Sequence, residues 1–325
     1  MTSATRVPDH GGGLARAKAR FGAGEDWLDL STGINPWPYP VPALDGAAWQ
    51  RLPDDDAFDA LKQAARRFYD AGSVAAAPGS QALIQLLPRL LSPTEVAIAA
   101  PSYAEHVRCW RLAGHSVIET DDPLASNAAV VVVVDPNNPD GRRWPAAALH
   151  EAARSRAVRG GLVVLDQAFA EAVEPPALDL GQPGLVALRS FGKFFGLAGL
   201  RLGFALGARW WVERIEDALG PWAISGPALA IGRAALEDAG WAAETRARLA
   251  AAAAALDAVL DRPGFAPAGG TDLFRLVRVE DAQAVFERLG RAHILVRGFS
   301  YRRDWLRFGL PPDAAALVRL DRALG

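Results

Sequence analysis

A chain of 325 residues is long enough for one large domain with a smaller companion, and for a substantial buried core. Its 35 Lys and Arg against 37 Asp and Glu leave a net charge of −2, which excludes a broad nucleic-acid-binding surface and confines anion affinity to local clusters. No apolar run reaches the roughly 18 residues of a membrane span, the opening MTSATRVPDHGGG lacks the apolar core of a secretory signal, and the one cysteine, Cys109, has no intramolecular partner. The expectation is a cytoplasmic α/β protein with no membrane or nucleic-acid partner.

The first 45 residues, rich in Gly and Pro, read as a segment that decorates a site rather than as a domain. Asp54, Asp55 and Asp56 then mark the start of a helix over 57–69, where acidic side chains meet the positive end of the helix dipole. A strand-like VAAA precedes a helix predicted over 80–91. Next come a strand over 95–100, a helix over 103–113, the all-valine strand 130–134 and a helix over 146–156. Strands 162–165 and 185–188 follow. Short runs that are apolar on both faces are buried parallel strands. Their alternation with helices predicts a doubly wound sheet, in which ligands bind beyond the carboxyl ends of the strands.

After about residue 220 the texture changes. An alanine-rich helix over 241–260, a strand over 272–279, a helix over 282–289, a strand over 294–297 and a terminal helix from Asp313 predict a small α+β domain. The expected division is 1–45, 46–222 and 223–325.

Four motifs sit where strands end. Ser190-Phe-Gly-Lys193 opens a glycine-rich loop with Arg201 eight positions beyond the lysine, so that Ser190 and Arg201 can hold a phosphate beside an amine. An amine that must act as a nucleophile spends time unprotonated, and neighbouring positive charge favours that. Gly79-Ser80-Gln81 starts a helix whose free N–H groups accept an anion. Asn138, in Asp135-Pro-Asn-Asn138-Pro-Asp-Gly141, offers an amide to a ligand oxygen. Asp166 ends its strand, where a carboxylate can keep the ring nitrogen of a bound heterocycle protonated. Singly, each has an ordinary explanation: a solvated lysine, an N-cap, a proline turn.

Together, the order Gly79-Ser80, Tyr103, Asn138, Asp166, Ser190-x-x-Lys193, Arg201 resembles the fold-type I, aminotransferase-like family of pyridoxal-phosphate enzymes, over nearly the whole chain. The resemblance implies a mainly parallel seven-stranded sheet in the large domain, a homodimer, and pyridoxal 5′-phosphate held on Lys193 as a Schiff base. It implies that Gly79, Ser80, Gln81, Ser190 and Arg201 bind the cofactor phosphate, that Tyr103 stacks on the ring, that Asn138 bonds its 3-oxygen and that Asp166 pairs with its nitrogen. Arg307, in Trp-Leu-Arg-Phe-Gly-Leu-Pro, is implied as the receiver of the substrate carboxylate.

Within that family, His10-Gly-Gly, Asp29-Leu-Ser-Thr-Gly-Ile-Asn35-Pro36 and Leu306-Arg307-Phe-Gly-Leu-Pro311 are similar to the threonine-phosphate decarboxylases of cobalamin biosynthesis. Their reaction takes L-threonine O-3-phosphate to (R)-1-amino-2-propanol O-2-phosphate. His10, Asn35, Arg297 and Arg303 are candidates for the substrate phosphate, while Asn138 and Arg307 are candidates for other parts of the substrate. Phe169 stands where histidinol-phosphate aminotransferases are expected to have Tyr, which favours the decarboxylase branch. Gly13 after HGG, Leu52 and Gln167 depart from the relatives' pattern. Two other readings stay open: an aminotransferase acting on a phosphorylated amino acid such as histidinol phosphate, and a non-catalytic pyridoxal-phosphate-binding protein. No metal site is expected, because His106 and His115 are isolated and Cys109 reads as a small core filler.

Overall fold

The structure, a computed structural model, describes residues 10–173 and 178–325. The first nine residues of the N-terminal segment, where the reading of no secretory signal begins, lie outside the described residues. After a short strand β1 (Leu28–Asp29) come seven strands: β2 (Val74–Ala77), β3 (Glu95–Ala99), β4 (Ser116–Thr120), β5 (Val130–Val134), β6 (Leu162–Asp166), β7 (Leu185–Ser190) and β8 (Gly203–Gly207). They form one sheet in the order β2-β8-β7-β6-β5-β3-β4, parallel throughout except for β8, which runs antiparallel to both its neighbours. The expected α/β fold with a mainly parallel seven-stranded sheet is therefore present. β2 and β5 to β8 are buried along their whole length, as β-branched and small apolar residues covered on both faces require.

Register decides where the chemistry gathers. Val134 lies opposite Asp166 and Asp166 opposite Leu188, so β5 and β6 end level while β7 runs on to Ser190. The loops carrying Asn138, Asp166 and Lys193 thus leave the same edge of the sheet. The predicted helix 80–91 is an α-helix only over Ser80–Leu86; a 3-10 turn, Leu87–Leu90, replaces its end because Pro88 cannot donate to the helical ladder. The aspartate cluster does start its helix, Asp55–Tyr69: Asp54 caps it by accepting from the Ala57 N–H at 3.0 Å.

The C-terminal part holds a four-stranded antiparallel sheet of β9 (Phe265–Thr271), β10 (Phe274–Val279), β12 (Arg297–Phe299) and β13 (Arg302–Gly309), in the order β12-β13-β10-β9. The strand expected over 294–297 is two strands. β11 (Ile294–Leu295) pairs in parallel with β1, stitching the N-terminal segment onto this part of the molecule, while Arg297 begins β12. β9 went unread because its Pro267, Gly269 and Gly270 are poor strand residues. No helix among the described residues is long and apolar enough to cross a membrane.

The two sheets meet where the loop after β5 touches β9. The Gly270 N–H donates to the Asp140 carbonyl at 3.0 Å. Gly141 has φ of +72°, and a Cβ there would stand 1.9 Å from the Gly270 carbonyl oxygen. A Gly141→Ala variant must therefore separate two backbones as well as hold a left-handed conformation. It is expected to lose about 2 kcal/mol or more of stability, read as a lowered urea midpoint with an unchanged m-value.

Candidate active site

Beyond the ends of β5 to β7 lies a cavity of about 380 Å³, lined by every sequence-predicted site residue except Asn35 and Arg303; Arg303 lines an adjoining cavity that shares His10 and Arg297 with this one. One end is an anion cradle. Gly79, at φ +85°, turns the chain into helix Ser80–Leu86, so the N–H groups of that first turn point out of the helix. A Cβ on Gly79 would meet the Arg201 guanidinium at 2.6 Å, and one on Gly203 would meet the Ser80 nitrogen at 2.4 Å. Glycine is needed at both places for the arginine and the helix start to come this close. Arg201 itself has φ of +56° and donates to the Ala198 carbonyl at 3.0 Å, which holds its side chain across the cradle. With Ser190 at the end of β7, this set fits a phosphate.

Asp166 and Tyr103 line the same cavity. Asp166 is 2% exposed; its Oδ1 accepts from the Ala168 N–H at 3.0 Å and its Oδ2 lies 2.8 Å from Nε2 of the buried His106. Because a carboxylate only accepts, His106 Nε2 is the donor. His106 sits one helical turn beyond Tyr103, on helix Ala104–Leu112, and its ring meets the Tyr103 ring edge-on at 6.2 Å. Burial and the nearby Glu105 carboxylate hold the Tyr103 phenol far above its ordinary range, so it stays a hydroxyl and donates to Gln81 Oε1 at 3.2 Å. Gln81 Nε2 in turn donates to Glu105 at 3.0 Å, which leaves the Gln81 backbone N–H, not its side chain, for a phosphate.

Lys193 follows β7 on a single helical turn, Phe191–Phe194, with its ammonium 5.8 Å from the centre of the Phe169 ring. Burial pushes its pKa down to about 8; Arg307 and Arg201 add to the shift and Asp166 opposes it. The neutral share of the amine near pH 7 thereby rises to roughly a tenth, far above that of an ordinary lysine, as a nucleophilic amine requires.

The opposite end is set by the small sheet. Arg297 and Arg307 lie directly across from each other on β12 and β13, and both line the cavity. Arg307 is 6% exposed and donates to Asn138 Oδ1 at 2.5 Å and to the Ser31 carbonyl at 3.0 Å. Its guanidinium covers the Phe274 ring at 4.9 Å, and Nε has no partner among the described residues. Burial, reinforced by Arg297, lowers its pKa to about 9. With the Asn138 oxygen committed to Arg307, its NH2 is the end available to a ligand oxygen. His10 reaches over from the N-terminal segment, its ring 5.5 Å from that of Tyr103.

Asn35 is the correction. It is 2% exposed and stands outside the cavity, with Nδ2 donating to the Phe194 carbonyl at 2.8 Å and Oδ1 accepting from the Trp37 N–H at 2.9 Å. Both ends of its amide are spent on backbone, and its own N–H donates to the Lys193 carbonyl at 3.0 Å. It fixes the lysine turn rather than a ligand. Sequence reasoning passed over His106, whose signal was its i+3 spacing from Tyr103, over Thr32 and Gly33, whose signal was their place in the Asp29–Pro36 motif, and over Tyr301, which carries no local signature.

The sequence matches the class I and II aminotransferase family over residues 25–320, and the chain belongs to it. Within the family it is 46% identical to a threonine-phosphate decarboxylase of Sinorhizobium sp., over 97% of each chain, and 44% identical to that of Pseudomonas aeruginosa, again over 97% of each. A histidinol-phosphate aminotransferase of Cupriavidus pinatubonensis is 28% identical, over 98% of this chain and 81% of its own. In fold, the chain is similar to the histidinol-phosphate aminotransferase of Sinorhizobium meliloti in complex with pyridoxal-5′-phosphate (TM-score 0.80, 23% identity, 100% and 96% of the two chains).

Two expectations follow from the geometry. Covalent capture of pyridoxal phosphate by the apoprotein, followed by absorbance, should speed up with pH as the Lys193 ammonium loses its proton and level off above about 8; a rate flat from pH 6 to 10 contradicts the shift. His106→Leu removes the donor to Asp166, and the loss of one charge-assisted hydrogen bond, about 1.5–3 kcal/mol, should lower kcat by about ten- to a hundredfold with KM little changed.

Proposed function

We propose that this chain is a pyridoxal-phosphate-dependent decarboxylase that converts L-threonine O-3-phosphate to (R)-1-amino-2-propanol O-2-phosphate and CO2. In this reading it acts in the cytoplasm, in the biosynthesis of cobalamin. The observation that carries the reading is the in-register pair Arg297 and Arg307 facing one cavity with Lys193. Like charges directly opposite on neighbouring strands repel, and they are compensated when a ligand brings anions of its own. An amino acid bearing both a carboxylate and a phosphate does so. Identity of 46% and 44% to threonine-phosphate decarboxylases, against 28% to an aminotransferase, points the same way.

The division of labour follows from the residues. The Ser80 and Gln81 N–H groups, Ser190 and Arg201 would hold the cofactor phosphate, and Tyr103 would lie against its ring. Asp166, oriented by His106 and the Ala168 N–H, would keep the ring nitrogen protonated, and the Asn138 amide would meet the 3-oxygen. Bound there, the cofactor supplies an electron sink for the pair left at Cα when a bond to that carbon breaks. Arg307, fixed by Ser31, Asn138 and Phe274, would orient the carboxylate, and Arg297 with His10 would take the substrate phosphate. Which Cα bond stands perpendicular to the ring decides between decarboxylation and transamination, so these anchors select the reaction by orientation. Lys193, whose pKa near 8 lets it both hold and release a proton, would return the proton to Cα.

A homodimer belongs to this reading. Val41, Trp49 and Leu52, at 55%, 70% and 68% exposure, present apolar surface along the N-terminal part of the chain that a second copy would cover. Light scattering should return the mass of two chains, and a charge at Leu52 (Leu52→Asp) should shift it toward one.

The cofactor-loaded protein incubated with L-threonine O-3-phosphate should release CO2 and aminopropanol phosphate with no keto acid present, and Lys193→Ala should release none. Arg297→Ala should raise KM by about ten- to a hundredfold, the loss of a charge-assisted contact to phosphate. Turnover that requires a keto acid and yields pyridoxamine phosphate overturns the reading in favour of an aminotransferase.

A further inference from the structure

Glu105 is the acidic side chain closest to the cavity that the chemistry above leaves without a task. It is 4% exposed, in the first turn of helix Ala104–Leu112, where the helix dipole favours a negative charge. That alone does not account for burying a carboxylate, which is costly unless several donors meet it. Three do. Oε2 accepts from Gln81 Nε2 at 3.0 Å and from Arg108 at 3.4 Å, and Oε1 faces His10 Nε2 at 3.4 Å.

Two of these donors belong to different walls of the site. Gln81 lies in the first turn of the cradle helix, and its other end accepts from the Tyr103 hydroxyl. A carboxylate cannot donate, so Gln81 must turn its NH2 to Glu105 and its oxygen to Tyr103. One buried charge thereby fixes the amide orientation of Gln81 and, through it, the tilt of the ring that lies against the cofactor. His10 belongs to the N-terminal segment, in which the Gly12 N–H donates to Ser31 Oγ at 2.7 Å. The same carboxylate draws His10 against the Tyr103 ring.

We propose that Glu105 is the positioning residue of this site: through Gln81 and Tyr103 it sets the cofactor end, and through His10 it latches the N-terminal segment over the substrate end. Glu105 touches neither ligand. The substrate half rests on the function proposed above; the cofactor half does not.

The test is read on two independent scales, pyridoxal-phosphate affinity of the apoprotein and the KM for L-threonine O-3-phosphate. Glu105→Leu should weaken both by about tenfold, the loss of one charge-assisted hydrogen bond in each arm, with kcat within about threefold of wild type. Glu105→Gln, which keeps an acceptor for Gln81, should recover most of the cofactor affinity. His10→Ala should raise KM and leave cofactor affinity alone, and adding Glu105→Leu to it should raise KM no further, because Glu105 acts on the substrate end through His10. A purely structural role would lower thermal stability and the active fraction but move neither constant.

Wild-type values of both constants in Glu105→Leu, or additive effects of Glu105→Leu and His10→Ala, overturn the proposal. Should Glu105→Leu not fold, His10→Gln decides, since glutamine can still donate to Glu105: KM restored relative to His10→Ala supports the latch, and equal values sink it. A wild-type protein that leaves L-threonine O-3-phosphate untouched sinks the proposed function instead, and the cofactor arm still reads Glu105.

Discussion

The organising constraint of this molecule is an excess of positive charge turned inward on one cavity. Lys193, Arg201, Arg297 and Arg307 converge there, and among the described lining residues Asp166 is the one carboxylate. Cations so placed repel each other and pay for lost hydration; the depressed pKa values of Lys193 and Arg307 record that directly. Anionic groups on a ligand offset that repulsion. The mainly parallel sheet makes the arrangement possible, because the carboxyl ends of β5, β6 and β7 deliver Asn138, Asp166 and Lys193 to one edge, while β12 and β13 bring Arg297 and Arg307 from the other side. Glycines at 79 and 203 let Arg201 and the first turn of helix Ser80–Leu86 approach as closely as a phosphate needs.

Within this cationic frame, reactivity is set by what surrounds each group. Lys193 lies over the face of the Phe169 ring, and its burial favours the neutral amine. Phe169 packs edge-on against Phe274, which in turn carries the Arg307 guanidinium, so one aromatic pair joins the lysine wall to the arginine wall. A Cβ on Gly33 would stand 2.8 Å from Phe274 and 3.0 Å from Phe169, which shows how closely the STGIN segment covers that pair. Gln167 is buried, its amide has no partner among the described residues, and nothing in the structure explains its presence beside Asp166.

Much of this was legible in the sequence, for identifiable reasons. Strands such as 130–134 announce themselves by valine alone, and the motif loops follow directly at their carboxyl ends, so their meeting point could be read from a doubly wound pattern. β9 was hidden by its proline and glycines, and the split of 294–297 depends on β1, a partner more than 260 residues earlier. Asn35 sits in a motif loop and looked like a ligand, yet the backbone of the lysine turn consumes both ends of its amide. The partnerships of Asp166 with His106 and of Gln81 with Glu105 join a strand or a helix start to a helix elsewhere in the chain. Such contacts are fixed by tertiary packing, to which no local pattern gives access.

The account stands most directly on how one substrate partitions between two fates. L-Threonine O-3-phosphate labelled with 13C at the carboxyl carbon, supplied with 2-oxoglutarate in excess, separates them by NMR. The account predicts that the label leaves entirely as CO2 and bicarbonate, with no glutamate formed. Label retained in a phosphorylated keto acid, with glutamate in equal amount, would contradict it.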